Sequence, residues 1–186
     1  MQIEQARANE HAKYQRAYAM NPNYRMKAQR LEDSIRDLAA LPVRGGYLDV
    51  SCGRGEMLVA AGKLGFGPIM GSEVVAELLD GSRVVRGEAH ALPFPDKCVD
   101  VATMFDVIEH LISGDDEAAC RELVRVARRH VLLTANNNPS FNKAGDDLHI
   151  NKRPYDEWDA RFREWFPGSV TRLKGTRVSP AWRVDL

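Results

Sequence analysis

Three acidic residues stand at the ends of three consecutive apolar runs. Asp49 lies in Tyr47-Leu48-Asp49-Val50, Glu73 closes Pro68-Ile69-Met70-Gly71-Ser72-Glu73, and Glu88 follows Arg83-Val84-Val85-Arg86. The first carboxylate can accept hydrogen bonds from an ammonium or a hydroxyl. The second, 24 residues further on, is placed to accept both hydroxyls of a ribose. The third can take an amino hydrogen of adenine. Between the first two, Ser51-Cys52-Gly53-Arg54-Gly55-Glu56 leads out of one run, and Gly53 and Gly55 let the backbone turn tightly and approach a ligand. The row, taken in this order, points to an adenosine-containing cofactor.

A second constellation lies downstream. Asp106, Glu109 and His110 stand at i, i+3 and i+4, so one helical turn would put them on one face. His149 follows the Asn136-Asn137-Asn138-Pro139 loop. In one reading, His149 or His110 is a general base with Asp106 as its orienting partner. In a second, Asp106, Glu109, His110 and His149 hold a divalent ion, Mg²⁺ or Mn²⁺, that binds and acidifies an acceptor hydroxyl. In a third, the group only braces the fold. Cys52 suits its turn by small size.

The elements that must position these groups alternate. Gln2 to Leu41 reads as helix, interrupted at Asn21-Pro22-Asn23, with Pro22 able to open the second segment. Tyr47–Val50, Pro68–Glu73, Arg83–Arg86, Val99–Met104 and His130–Thr134 read as strands. Helices are expected over Glu56–Leu64, over Asp115–Arg129 and from Tyr155 to Phe166, but only nine residues separate the second and third strands. In Asp115–Arg129, Arg125, Arg128 and Arg129 sit where cations suit the helix dipole. Trp158, Phe162 and Trp165 share one face and read as core, with Trp182 beside them. Strands near Val170–Lys174 and Trp182–Asp185 would close the chain. Alternation of this kind predicts an α/β fold, a doubly wound, mostly parallel sheet with a C-terminal antiparallel hairpin. Residues 1–186 read as a single domain, 1–41 a helical lid and 46–186 the cofactor-binding core.

With these residues in place, the sequence from about Gly46 to Thr134 resembles the class I S-adenosylmethionine-dependent methyltransferases, whose fold is Rossmann-like. Asp49-Val50-Ser51-Cys52-Gly53-Arg54-Gly55 is similar to the family's first motif, and Glu73 to its ribose-binding acid. Gly87-Glu88-Ala89 with Leu92-Pro93-Phe94 resembles its adenine loop, and Phe105-Asp106-Val107-Ile108-Glu109-His110 its strand-end motif beside the methyl group. The resemblance implies cofactor contacts from Asp49, Ser51, Gly53, Gly55, Glu73, Glu88, Ala89 and Phe105. Ser51 stands where the family has its first glycine, and the second connection is short. Acid-x-x-Glu-His with a later His also resembles a metal-dependent branch, which includes small-RNA 2′-O-methyltransferases and quinone-biosynthesis O-methyltransferases. A nicotinamide cofactor is not indicated, because no third glycine follows Gly53-Arg54-Gly55 at the required spacing.

Composition bounds the partners. The 186 residues carry 26 Lys plus Arg and 26 Asp plus Glu, which excludes a generally basic nucleic-acid coat. The charge is segregated: net +4 over 1–30, −7 over 31–149 and +3 over 150–186. The acidic middle holds the three carboxylates, and the basic ends flank the acceptor side. The expected acceptor is a small or nucleotide-like molecule bearing an oxygen or nitrogen nucleophile. Two alternatives are a metal-dependent RNA- or DNA-end 2′-O-methyltransferase and a catalytically idle cofactor-binding module. No apolar run is long enough to span a membrane, the start lacks signal-peptide character, and three Cys without CxxC spacing suit a reducing cytoplasm. Nothing in the spacing specifies an oligomeric state.

Overall fold

Each strand alternates its side chains between two cores, and that alternation builds the layers. The structure, a computed structural model, describes residues 2–186. Its strands are β1 (Tyr47–Val50), β2 (Ile69–Glu73), β3 (Val84–Arg86), β4 (Val99–Met104), β5 (Ala127–Thr134), β6 (Ser169–Arg172) and β7 (Ala181–Asp185). They form one seven-stranded sheet in the order β3-β2-β1-β4-β5-β7-β6. The first five run parallel, and β7 pairs antiparallel with both β5 and β6. The chain reverses direction across the sheet between β1 and β4, the switch point where open α/β folds bind ligands.

The helices are α1 (Gln2–Met20), α2 (Ala28–Ala39), α3 (Glu56–Lys63), α4 (Asp115–Val126) and α5 (Tyr155–Trp165). On one face of the sheet, Tyr47, Val101, Phe105 and Leu132 pack with Leu38 of α2 and Met57, Leu58 and Ala61 of α3. On the other, Leu48, Val50, Ala102, Met104, Val131 and Leu133 pack with Leu123 of α4 and Trp158 and Phe162 of α5. The period-two pattern of the strands thus matches a sheet covered on both sides. Trp158 stacks on Phe162, Trp182 meets Phe162 edge-on, and the Trp182 indole N–H donates to Asp159. Trp165, the third expected member of that face, is only partly buried.

Three expected boundaries change. Pro22 does not open the second helix: residues 21–27 form a turn and an extended run, and α2 begins at Ala28 after an extended Lys27. Arg128 and Arg129 are not in the last helical turn, because α4 stops at Val126 and Ala127 pairs with Val99 in the sheet. Burial of Ala127, Val131 and Leu133 against the sheet outweighs the helix-dipole preference of two exposed arginines. The expected lid over 1–41 divides. Only α1 and the segment after it cover the carboxyl ends of the strands, while the apolar face of α2 belongs to the sheet core.

The second connection is a single 3-10 turn, Ala76–Leu78, in agreement with its nine-residue length. No helix among the described residues is long and apolar enough to cross a membrane.

Candidate active site

Beyond the carboxyl ends of β1, β2 and β4 lies a cavity of about 540 Å³, roofed by α1 and the 24–30 segment. Asp49, Ser51, Gly53, Glu73, Glu88, Ala89 and Phe105 all line it, as do Asp106, His110 and His149. Both constellations of the sequence therefore open into one space. Gly55 and Glu109 do not reach its wall. Gly55 sits behind it at φ +80, where it makes the left-handed turn that starts α3. Glu109 lies buried beneath His110 in the 3-10 turn Ile108–His110.

At one end, backbone amides hold one buried carboxylate and a threonine hydroxyl holds another. Glu73 accepts from the amides of Gly53 at 2.9 Å, Val74 at 2.7 Å and Val75 at 3.1 Å. That fixes the carboxylate at the end of β2 and ties the glycine loop to it. A carboxylate has roughly four lone-pair sites, so capacity for another donor remains. Asp49 accepts from Thr103 Oγ1 at 2.6 Å, and the Tyr47 hydroxyl donates to that same oxygen at 2.7 Å. Burial, with Glu73 and Glu56 nearby, pushes the Asp49 carboxyl up to about 7. Burial also raises Glu73 from its ordinary value. Such a pair strongly favours a cation. Glu88 is different: its carboxylate is more than a third exposed, 3.4 Å from His90 Nε2 and 3.7 Å from His11 Nε2.

The cavity wall holds stored strain. Ser51 sits at φ +56 and Asp106 at φ +53, so two of the three non-glycine left-handed residues among the described residues lie on it. Glycine, which the resemblance implies at the position of Ser51, adopts this conformation without a Cβ clash. Ser51→Gly is expected to raise stability by about 0.5–1 kcal/mol, read from the denaturant midpoint. An unchanged or lowered midpoint would mean that the serine hydroxyl holds the loop in some other way. Cys52 packs its Sγ where a side chain on Gly71 would go, 2.7 Å from the position of a Cβ, and burial pushes its thiol up. It fills space.

At the other end, Asp106 is held by Arg30 at 2.9 Å and by Thr134, whose hydroxyl donates to Asp106 Oδ1 at 3.1 Å and accepts from the Asp106 amide at 2.7 Å. The role of histidine orienter falls instead to backbone carbonyls. His110 Nδ1 donates to Leu148 O at 2.7 Å, and His149 Nδ1 donates to Asn138 O. Each neutral ring is thereby left with an unprotonated Nε2. Burial pulls His110 down to about 4 and lowers His149 as well. The two rings meet edge-on at 4.6 Å.

One ligand atom each from Glu109, His110 and His149 lies within 4.8 Å of the others. Asp106 lies outside this group, because its left-handed backbone breaks the helical turn that would have aligned it. Both Glu109 oxygens are buried without a hydrogen-bond partner.

Several wall residues carry no strong sequence signal. His11 and His90 flank Glu88, and Arg7 grips Asp115 at 2.7 and 2.9 Å, so α1 is latched to the rim across more than a hundred residues of sequence. The Tyr18 hydroxyl lies 2.8 Å from where a Cβ on Gly53 would stand. Asn136, just after β5, points a buried and unpartnered Nδ2 from the wall.

The fold has counterparts among known proteins. Residues 48–134 match the family model described as a methyltransferase domain. Among solved structures, the chain is similar to 1,6-didemethyltoxoflavin-N1-methyltransferase of Burkholderia thailandensis, with bound 1,6-didemethyltoxoflavin and S-adenosylhomocysteine. The TM-score is 0.76 at 15% identity, over 98% of this chain and 89% of that one. A protein of Pyrococcus horikoshii matches with a TM-score of 0.70 at 15% identity, over 90% and 97% of the two chains. Magnesium protoporphyrin IX methyltransferase of Synechocystis, with bound S-adenosylmethionine, gives 0.61 at 15% identity, over 84% and 78%. No curated protein sequence matches.

Proposed function

We propose that this chain, whose residues 48–134 match the model of a methyltransferase domain, is a class I, S-adenosylmethionine-dependent methyltransferase acting on an oxygen or nitrogen of a small or nucleotide-like acceptor. The observation that carries the reading is the single cavity. It joins the Asp49 and Glu73 carboxylates to the imidazole of His149 within about 540 Å³, a volume typical of small-ligand sites. The neighbours from Burkholderia and Synechocystis are named for small acceptors.

S-adenosylmethionine, when bound, supplies an electrophilic methyl group on a sulfonium. Asp49 would receive its ammonium, Glu73 the ribose hydroxyls and Glu88 the adenine amino group, with Ser51, Gly53, Ala89 and Phe105 shaping the wall between them. Transfer needs an acceptor lone pair in line with the methyl group, and the enclosing walls hold it there. His149 Nε2 takes the acceptor's proton, with its ring fixed by the Asn138 carbonyl. Its lowered pKa keeps the ring unprotonated at neutral pH. His110 braces it edge-on, and Asp106 sets the end of β4 and the position of Arg30.

The buried, unpartnered Glu109 favours a second reading. With the Nε2 atoms of His110 and His149 it would hold a divalent ion, and the rings' carbonyl anchors are the supports such ligands use. Two imidazoles and one carboxylate suit Mn²⁺ better than Mg²⁺. The ion would acidify an acceptor hydroxyl. A polymer-end acceptor has less support, because the basic residues of α1 are engaged: Arg7 with Asp115, Lys13 with Glu10, and Arg16 with Asp146.

Incubating the protein with methyl-labelled S-adenosylmethionine and a cell extract tests the reading. Label is expected in molecules under about 1 kDa, the size such a pocket encloses. Label only in RNA or protein would overturn it. Turnover unchanged by EDTA supports His149 alone; loss restored by Mn²⁺ supports the ion.

A further inference from the structure

The cavity wall carries charges of both signs. Asp49, Glu73 and Glu88 line it, and so do Arg25, Lys27 and Arg30, the last paired with Asp106. The side chains of Arg25 and Lys27 make no ion pair or hydrogen bond among the described residues, in contrast to Arg7, Lys13 and Arg16 of the same N-terminal segment. Arg30 pairs with Asp106 through one amino group, while its Nε is buried without a partner.

Aromatic rings line the same space. Tyr18 and Tyr24 meet edge-to-face at 4.9 Å, and Tyr14 meets His110 at 5.3 Å. The Tyr14 hydroxyl and Asn136 Nδ2 are both buried and unpartnered on this wall. Buried polar groups are rarely left without partners, so a cluster of them along one cavity marks positions that a ligand satisfies. Flat faces, orphaned donors and free cations in sequence describe one kind of molecule.

We propose that the acceptor is a planar aromatic small molecule carrying an anionic substituent, a carboxylate or a phosphate, at the end away from the methylated atom. This rests on the reading of the cavity as a methyltransferase site. The ring lies among Tyr14, Tyr18 and Tyr24, its polar edge reaches Asn136 Nδ2, and the anion meets Arg25 and Lys27. An aromatic acceptor adds stacking and edge contacts. The anion gains from two cations whose charge is otherwise uncompensated. The basic N-terminal segment thus selects a small anion at the cavity mouth.

The test uses the protein loaded with S-adenosylhomocysteine, titrated with benzoate, phenyl phosphate and the neutral benzamide. At least one anion is expected to bind roughly tenfold more tightly than benzamide, the effect of two exposed charge contacts. The tighter of the two anions names the group. In Arg25→Gln/Lys27→Gln the preference should fall below about twofold. Benzamide binding as tightly as both anions would overturn the proposal, and so would a preference that survives the double substitution. Failure of S-adenosylhomocysteine to bind the unaltered protein is a separate result, and it removes the underlying reading of the cavity.

Discussion

Asp49→Asn should weaken S-adenosylmethionine binding by at least about thirtyfold, because removing one partner of a buried charge pair typically costs 2 kcal/mol or more. The asparagine keeps the volume and can still accept from Thr103, so the fold is expected to survive. The variant should also lose a pH dependence. The Asp49 carboxyl is raised to about 7, and an ammonium binds its ionised form. Affinity in the unaltered protein should therefore tighten as pH rises through 7 and fall by about tenfold per unit below it. In the variant the affinity should be low and nearly flat from about pH 6 to pH 8. Calorimetry across that range reads both effects. A variant that binds as tightly as its parent would remove Asp49 from the cofactor site.

His149→Ala should lower turnover by about a hundredfold or more, the usual contribution of a positioned base. The affinity for S-adenosylmethionine should change little, because the ring stands at the acceptor end. The direction of the pH profile follows from the environment. Burial lowers the His149 pKa, so the unprotonated ring persists to lower pH than an exposed histidine would allow. The acid limb of the unaltered enzyme should lie below the ordinary histidine value of about 6.5 and vanish in the variant. A variant with full turnover would show that an acceptor already deprotonated in solution needs no base.

Much of the fold was legible because the relevant signals are local. Val99–Met104 and Tyr47–Val50 read as strands with the bounds they have, since their apolar runs are short and clearly punctuated. Asp49, Glu73 and Glu88 were legible because parallel strands bring successive carboxyl ends to one edge. The limits of α4 and β5 were not: Arg128 and Arg129 suit a helix end locally, and only pairing of Ala127 with Val99 pulls them into the sheet.

The same distinction separates the parts of the site. The spacing of Asp106, Glu109 and His110 suggested a helical face, but the left-handed backbone at Asp106 sends its carboxylate to Arg30 and Thr134. His11, His90 and Asn136 reach the cavity through contacts between distant segments, for which a single chain offers no spacing rule. Tyr14 and Tyr18 face the cavity because α1 packs over the glycine loop, a contact between distant segments.

Asp49, Glu73 and Glu88 form the proposed adenosine site. Titration of S-adenosylhomocysteine into the protein at pH 8 addresses it directly, with Asp49 ionised. One molecule should bind per chain, and Glu73→Ala should weaken binding at least about tenfold through loss of charge-assisted hydrogen bonds. No heat of binding with the unaltered protein, or equal affinity in the variant, would contradict the assignment of this cavity.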